Sequence, residues 1–245
     1  MDERSVLAYW SFRFALLGML IAIFAILGYR LDIMHFRPAL FGLIGAAGIG
    51  LLAALFGIIG LIMAVRKKQS GGVFALAGLA LGSVVAVPIL LAAQAGSQVP
   101  RIHDITTDLQ DPPEFVAMQS VRAPTQNPLD RKMPVNLAAL QQAGYPDLST
   151  VLIQKNPNQV FEDAVTLVKE RGWEIIAAVS AENSWIEATA TTRIMGFKDD
   201  VVIRIRERGG ESIVDMRSVS RVGQSDLGVN AARIKAFLAD LRNVK

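Results

Sequence analysis

The sequence predicts an α+β protein: three transmembrane helices, then a small domain with a mainly antiparallel four- or five-stranded sheet packed by two helices. Three observations lead there. Between Phe14 and Ala95 charged residues fall almost only in two short gaps, a pattern suited to hydrocarbon rather than water. After about Val151 the apolar period switches repeatedly between helical and alternating. Between these regions, prolines interrupt every stretch that might otherwise form a long helix. The resulting division is a membrane anchor at 1–97, a proline-rich tether or strap at 98–150, and the α+β domain at 151–245.

The anchor consists of Phe14–Tyr29, Ala39–Val65 and Gly72–Ala95, each near or above the roughly 20 residues a helix needs to cross a bilayer. Tyr9, Trp10 and Phe12 flank the first span on one side and Tyr29 on the other, as interfacial aromatics do. No small-residue cleavage site follows Tyr29, so the first span reads as an anchor and not as a signal. Gly42, Ala46, Gly50 and Ala54 recur every four residues, as do Gly78, Gly82 and Ala86. Those faces let backbones approach closely, either among the three spans or between two copies of the chain in a homo-oligomer. No acidic residue or histidine lies within a span, so a proton or ion pathway has no carrier there. Arg4, Arg13, Arg66, Lys67 and Lys68 fall on one side, against Arg30, Arg37 and Arg101 on the other. Lysine and arginine mark the cytoplasmic side. The expected location is therefore the inner (cytoplasmic) membrane, multi-pass, with the soluble domain periplasmic.

The net charge of +3 does not describe the domain. Residues 1–97 hold seven Lys/Arg against three acids, a balance of +4, while residues 98–245 hold eighteen against nineteen, a balance of −1. A nucleic-acid partner is not expected of a domain without net basic character. The absence of cysteine removes disulfides, thiolate nucleophiles and cysteine zinc sites.

Within the domain, Val151–Gln154 reads as a short strand. Asn156-Pro157-Asn158 supplies a cap and a helix start, Phe161, Ala164, Val165 and Val168 form an apolar stripe, and Gly172 stops the helix. Trp173–Val179 and Trp185–Ile194 are strand-like across a polar turn. Val201–Glu207 and Ser212–Val222 make a hairpin across Arg208-Gly209-Gly210. Ile234, Phe237, Leu238 and Leu241 mark a closing amphipathic helix.

Strand residues alternate faces. Val201, Ile203 and Ile205 therefore oppose Asp200, Val202, Arg204 and Arg206, while Ile213, Asp215, Arg217, Val219 and Arg221 share one face of the last strand. Glu187, Thr189, Thr191 and Arg193 share a face opposed by Ile186, Ala188 and Ala190. One sheet face is apolar and helix-covered; the other is polar and rich in arginine. The second face has three readings: solvated with cross-strand ion pairs, a recognition surface for an anion, or a bed for the strap, with Asp104, Asp108, Asp111 and Glu114 meeting the arginines.

Ile102-His103-Asp104-Ile105-Thr106-Thr107-Asp108 with the following Pro112-Pro113, then Gly196-Phe197-Lys198-Asp199-Asp200, then the run Arg217–Asn230, resemble the bacterial domain of unknown function 1499 family. The resemblance covers about residues 100–243. It implies a domain without an established activity, often preceded by membrane segments. Many members carry an Asn-Cys pair near the domain start, and this cysteine-free chain lacks it.

The expectation for function is a membrane-anchored cell-envelope protein that is non-catalytic and binds an envelope protein partner or an anionic small molecule. The binding candidates are Arg193, Arg204, Arg206, Arg217 and Arg221 with Asp199, Asp200 and Asp226. The lipid bilayer is the other expected partner, and no cofactor or metal is expected. The alternative is an envelope enzyme, a metal-assisted or acid/base hydrolase using Asp199, Asp200 and Asp226. Those aspartates also have architectural readings, Asp199-Asp200 as turn and strand edge, Asp226 or Asn230 as a helix cap. Ser218, Ser220 and Ser225 need a base, and His103 is distant in sequence.

Overall fold

The computed structural model describes residues 5–181 and 184–244. The chain forms two compact units, 1–94 and 95–245. The first contains helices α1 (Val6–Arg30) and α2 (Phe36–Arg66) and most of α3 (Gly72–Ser97), all long and apolar enough to cross a membrane. Leucines, isoleucines and phenylalanines point outward while alanines and glycines face neighbouring helices, the reverse of a water-soluble bundle. The middle of the small-residue faces predicted from spacing is where α2 and α3 meet, whereas Gly42 faces Ala25 and Gly78 faces Ser11, both of α1. A Cβ built on Gly50 would stand 2.7 Å from the Gly82 carbonyl oxygen, and one on Gly82 would stand 2.6 Å from that of Gly50. Ser11 donates its hydroxyl to the Ala53 carbonyl at 2.8 Å, satisfying a buried polar group.

The second unit contains a six-stranded antiparallel sheet, more extensive than expected. Its main path runs β1 (Asp104–Thr106), β6 (Glu211–Ser220), β5 (Lys198–Arg208), β4 (Ser184–Thr191) and β3 (Glu174–Val179). The short strand β2 (Val151–Ile153) also pairs with β6. β1 pairs with Arg217, Ser218 and Val219, whereas β2 pairs with Ser212, Ile213 and Val214, so the two share one edge of β6 in succession. The β5–β6 hairpin turns at Gly209 and Gly210, both with positive φ (62° and 85°), as a tight primed turn requires. Gly172, also with positive φ, follows the predicted capped helix α6 (Pro157–Glu170).

Ile186, Ala188, Ala190, Val201, Ile203, Ile205, Val214 and Met216 form the apolar sheet face. Val160, Phe161, Ala164 and Val168 of α6 cover it, together with Ala231, Ile234, Phe237, Leu238 and Leu241 of α7 (Val229–Asn243). The face assignments from strand alternation hold for β5, for β6 and for β4 up to Thr191. β4 ends there, so Arg193, assigned to the same face as Glu187, lies in the following turn.

The opposite face is not solvated. Segment 98–150 lies within the second unit and carries β1, the short helix α4 (Met118–Val121) and α5 (Leu137–Gly144). Its middle part, with Phe115, Met118 and Leu129, covers that face, while Ile102, Ile105, Leu137, Tyr145 and Leu148 join the core on the helix-covered side. Phe115 and Met118 are buried against Val202 and Val219, with Leu129 and Ile176 beside them. Gln141 of α5 accepts from the Thr106 amide at 3.1 Å and donates to its carbonyl, fastening helix to strand.

Candidate functional site

The strap settles where the polar sheet face offers it charged partners. Glu187, fully buried in the middle of β4, accepts three backbone N–H groups from the strap. The amides of Val116 and Ala117 donate to its Oε1 at 2.5 and 3.1 Å, and that of Met118 to Oε2 at 2.6 Å. With no cationic partner among the described residues, this buried carboxylate is held by converging amides. At the C-terminal end of β6 Asn127 donates its amide to the Arg221 carbonyl and its side-chain Nδ2 to the carbonyls of Ser220 and Gly223.

Between these anchors, two aspartates each hold two arginines. Asp104 receives Arg217 in a fork, Nε to Oδ1 at 3.0 Å and Nη2 to Oδ2 at 2.7 Å, and also Arg131 Nη1 at 2.5 Å. Asp200 receives Arg221 through Nε and Nη2 at 2.9–3.1 Å and Arg122 Nε at 2.6 Å. Arg122 and Arg217 also donate to carbonyls, Arg122 to those of Asn127 and Val219 and Arg217 to those of Pro113 and Leu129. The Arg217 guanidinium lies 5.2 Å from the Phe115 ring centre. Burial pulls the pKa of Arg122 and Arg131 below the usual arginine range, against the opposing pull of Asp200 and Asp104.

Three of these arginines, Arg122, Arg131 and Arg217, line a cavity of ≈ 830 Å³. Phe115, Leu129 and three prolines supply its apolar wall, and the exposed Glu114 and Asp130 also line it. Asp130 is paired with Lys132. The Gln126 Oε1, also in the wall, is buried without a hydrogen-bond partner among the described residues. Arg131 has positive φ (54°), uncommon for a side chain with a Cβ, and its guanidinium meets Asp104 from there. Of its five N–H donors, one is engaged among the described residues.

A second network ties the strap to the β5–β6 hairpin. Asp215, fully buried, accepts from Arg204, Arg206, Thr107 and Thr150. Asp111 reaches Arg204 at 2.9 Å and Arg206 at 3.2 Å. Asp108 accepts from Arg204 at 3.4 Å and lies 3.8 Å from Arg206. Three carboxylates face two guanidinium groups here, so this corner has no excess positive charge.

The predicted site residues therefore separate. Arg217 and Arg221 belong to the two clusters under the strap, and both are buried rather than displayed. Arg204 and Arg206 lie at the other corner. Arg193 is exposed in the turn after β4, away from the shared strand face. Asp199 and Asp200 point to opposite sides of β5. Asp199 meets Arg233 of α7 at 2.5 Å on the helix side, while Asp200 holds its arginines under the strap. Asp226 Oδ1 accepts the Gly228 amide and Oδ2 that of Asn230, capping α7 as its position suggested. Desolvation raises the Asp226 pKa despite those two hydrogen bonds, and Asp199 adds to the rise. Desolvation lowers the pKa of half-buried His103 and raises that of Tyr145 to about 12. Ser218 donates to Asn230 Oδ1, and Asn230 donates to Ser220 Oγ and the His103 carbonyl. These serines thus serve the junction of β6 with α7.

The match to the family model "Protein of unknown function (DUF1499)" spans residues 104–241, more than half of the chain. The chain belongs to the DUF1499 family. The matched region of this DUF1499 protein begins at Asp104, the acid that holds Arg131 and Arg217, and includes the strap as well as the sheet and both covering helices. A search of curated proteins found no match.

Sequence reasoning missed Arg122, Arg131, Phe115 and Glu187. A proline-rich segment has no period from which to assign faces, so its arginines carried no positional signal. Glu187 did carry one, a lone acid on the polar side of an Ala/Thr-rich strand.

Proposed function

We propose that this protein is a non-catalytic binding module of the cell envelope. Three spans hold it in the inner membrane, with the domain on the outer side, and its ligand is anionic. The observation that carries the reading is the arrangement of four guanidinium groups around Asp104 and Asp200, three of them lining one cavity. Buried arginines in excess of their carboxylates attract a further oxyanion, whose planar or tetrahedral oxygens suit the guanidinium fork. The aspartates that an acid/base or metal mechanism would use are committed elsewhere, to arginines on opposite sheet faces and to a helix cap. The orientation is supported by the five Lys/Arg against three at the anchor's loops and ends.

Native mass spectrometry of the full chain, released from mild detergent, tests the reading. An anionic small-molecule adduct is expected on the wild type and not on Arg131→Ala. No adduct, or one indifferent to that substitution, contradicts it. Ser149→Cys, exposed in an otherwise cysteine-free chain, tests orientation. Labelling by an impermeant maleimide with the inner membrane intact is expected; labelling only after permeabilisation reverses the topology.

A further inference from the structure

Resting on the anion-binding reading, we propose that the cavity formed by strap residues over Arg217 takes a small organic anion, a single carboxylate or phosphate head joined to a compact apolar body. The head meets the unengaged N–H groups of Arg131, and the buried Arg122 and Arg217 behind it, every nitrogen already engaged, contribute charge. The body lies against Phe115, Leu129, Pro124 and Pro128.

Charge sets the head. Arg122, Arg131, Arg217 and Arg221 share only Asp104 and Asp200. Glu187 is the remaining buried acid on this sheet face that receives strap amides, and three N–H groups already meet its charge. The acids at the cavity, Glu114 and Asp130, are exposed and screened by water, and Asp130 is offset by Lys132. Four guanidinium groups against two carboxylates leave an excess of two positive charges at the inner wall, which matches a carboxylate or a phosphate monoester head and not a head of higher charge. Arg131 is the natural contact because Asp104 engages one of its donors and is already forked by Arg217. Burial without full compensation weakens the protonated forms of Arg122 and Arg131, a cost that an incoming anion relieves.

The wall sets the body. An inorganic ion would leave most of ≈ 830 Å³ to water, against a wall with an aromatic ring, a leucine and three prolines. Cavities of this order hold small organic molecules, gripped by apolar walls and oriented by a few polar groups. Prolines keep that wall from collapsing, since their φ is fixed.

Calorimetric titration of the full chain in zwitterionic nanodiscs tests this, with empty discs as reference and benzoate, phenyl phosphate, benzamide and inorganic phosphate as probes. Saturable binding of benzoate or phenyl phosphate, at least about tenfold tighter than benzamide and inorganic phosphate, is expected. The preferred head tells carboxylate from phosphate. Arg131→Ala is expected to weaken that binding about tenfold, the loss of one charge-assisted pair. Ala123→Glu, an exposed position on the cavity wall, adds a carboxylate there without touching the buried clusters and is expected to do the same. Inorganic phosphate binding as tightly as phenyl phosphate overturns the organic body and leaves the anion reading standing. Benzamide binding as tightly as benzoate overturns both. Organic probes that fail to bind, in a protein that still carries an Arg131-dependent native adduct, overturn this inference alone; binding unchanged in both variants places the probes elsewhere and also overturns it.

Discussion

Glu187→Gln should loosen the strap while leaving the sheet intact. Gln fills the same volume, so no cavity opens. It keeps one carbonyl oxygen, which still accepts the amides of Val116 and Ala117, as Oε1 does in the wild type. The other oxygen, which receives the Met118 amide at 2.6 Å, is replaced by a donor facing a donor. A hydrogen bond to a charged group contributes about 1.5–3 kcal/mol, and the two surviving bonds lose their charge assistance. The expected cost is about 3 kcal/mol, concentrated at residues 115–122. Hydrogen exchange on the full chain in nanodiscs reads this locally, because strap opening need not involve global unfolding. At about 1.4 kcal/mol per tenfold, amides 116–118 should exchange about 100-fold faster, with β5 and β6 unchanged. Unchanged protection at 116–118 would refute the claim that Glu187 pins the strap. Equal loss across the sheet would show that strap and sheet open as one unit.

Other expectations follow from the same geometry. Gly82→Val places a branched side chain where a single Cβ would already stand 2.6 Å from the Gly50 carbonyl oxygen. Unfolding of the variant in detergent should therefore come earlier, by at least the roughly 1–3 kcal/mol typical of overpacking; an unchanged transition would contradict the α2–α3 contact. His103 has a folded pKa below its unfolded value, so its contribution to stability is present above about pH 6.5 and lost as pH falls toward the folded value. His103→Gln should flatten the stability profile in that window, as measured by denaturant unfolding at stepped pH. Asp226 has the opposite sign: its raised folded pKa gives a contribution present below about pH 4 and lost as pH rises through the folded value. Stability of the wild type relative to Asp226→Asn should therefore decline as pH climbs from that point, and a rising difference would contradict desolvation as the dominant effect.

Much of the fold was legible because period and punctuation are local. Strand alternation placed Val201, Ile203 and Ile205 opposite Arg204 and Arg206, and Asn156-Pro157 with Gly172 bracketed α6. Apolar runs located the three spans to within a few residues where aromatics and arginines mark the interface, although helix α1 extends back to Val6. The strap was legible only as a set of alternatives, since proline removes the period that assigns faces. β1 escaped notice because three residues between polar neighbours carry no alternation signal. The site was less legible than the fold. Arginine on a strand face suggests display, but whether it is displayed depends on what lies above it, and here Asp104, Asp108 and Asp111 come from about a hundred residues earlier. Asp199 and Asp200 looked like a pair in sequence; the strand's two-residue period sends them to opposite faces. Arg131 reaches the site from a left-handed backbone position that no propensity would assign to arginine.

The central claim is that an organic anion sits where Arg122 and Arg131 of the strap meet Arg217 of the sheet. Crystals of the full chain grown with 4-bromobenzoate test it most directly through the bromine's anomalous signal. The account predicts one peak inside the cavity near Phe115 and the prolines, with the carboxylate within hydrogen-bond distance of Arg131. Bromine found only outside that cavity, or a carboxylate turned away from Arg122, Arg131 and Arg217, would contradict it.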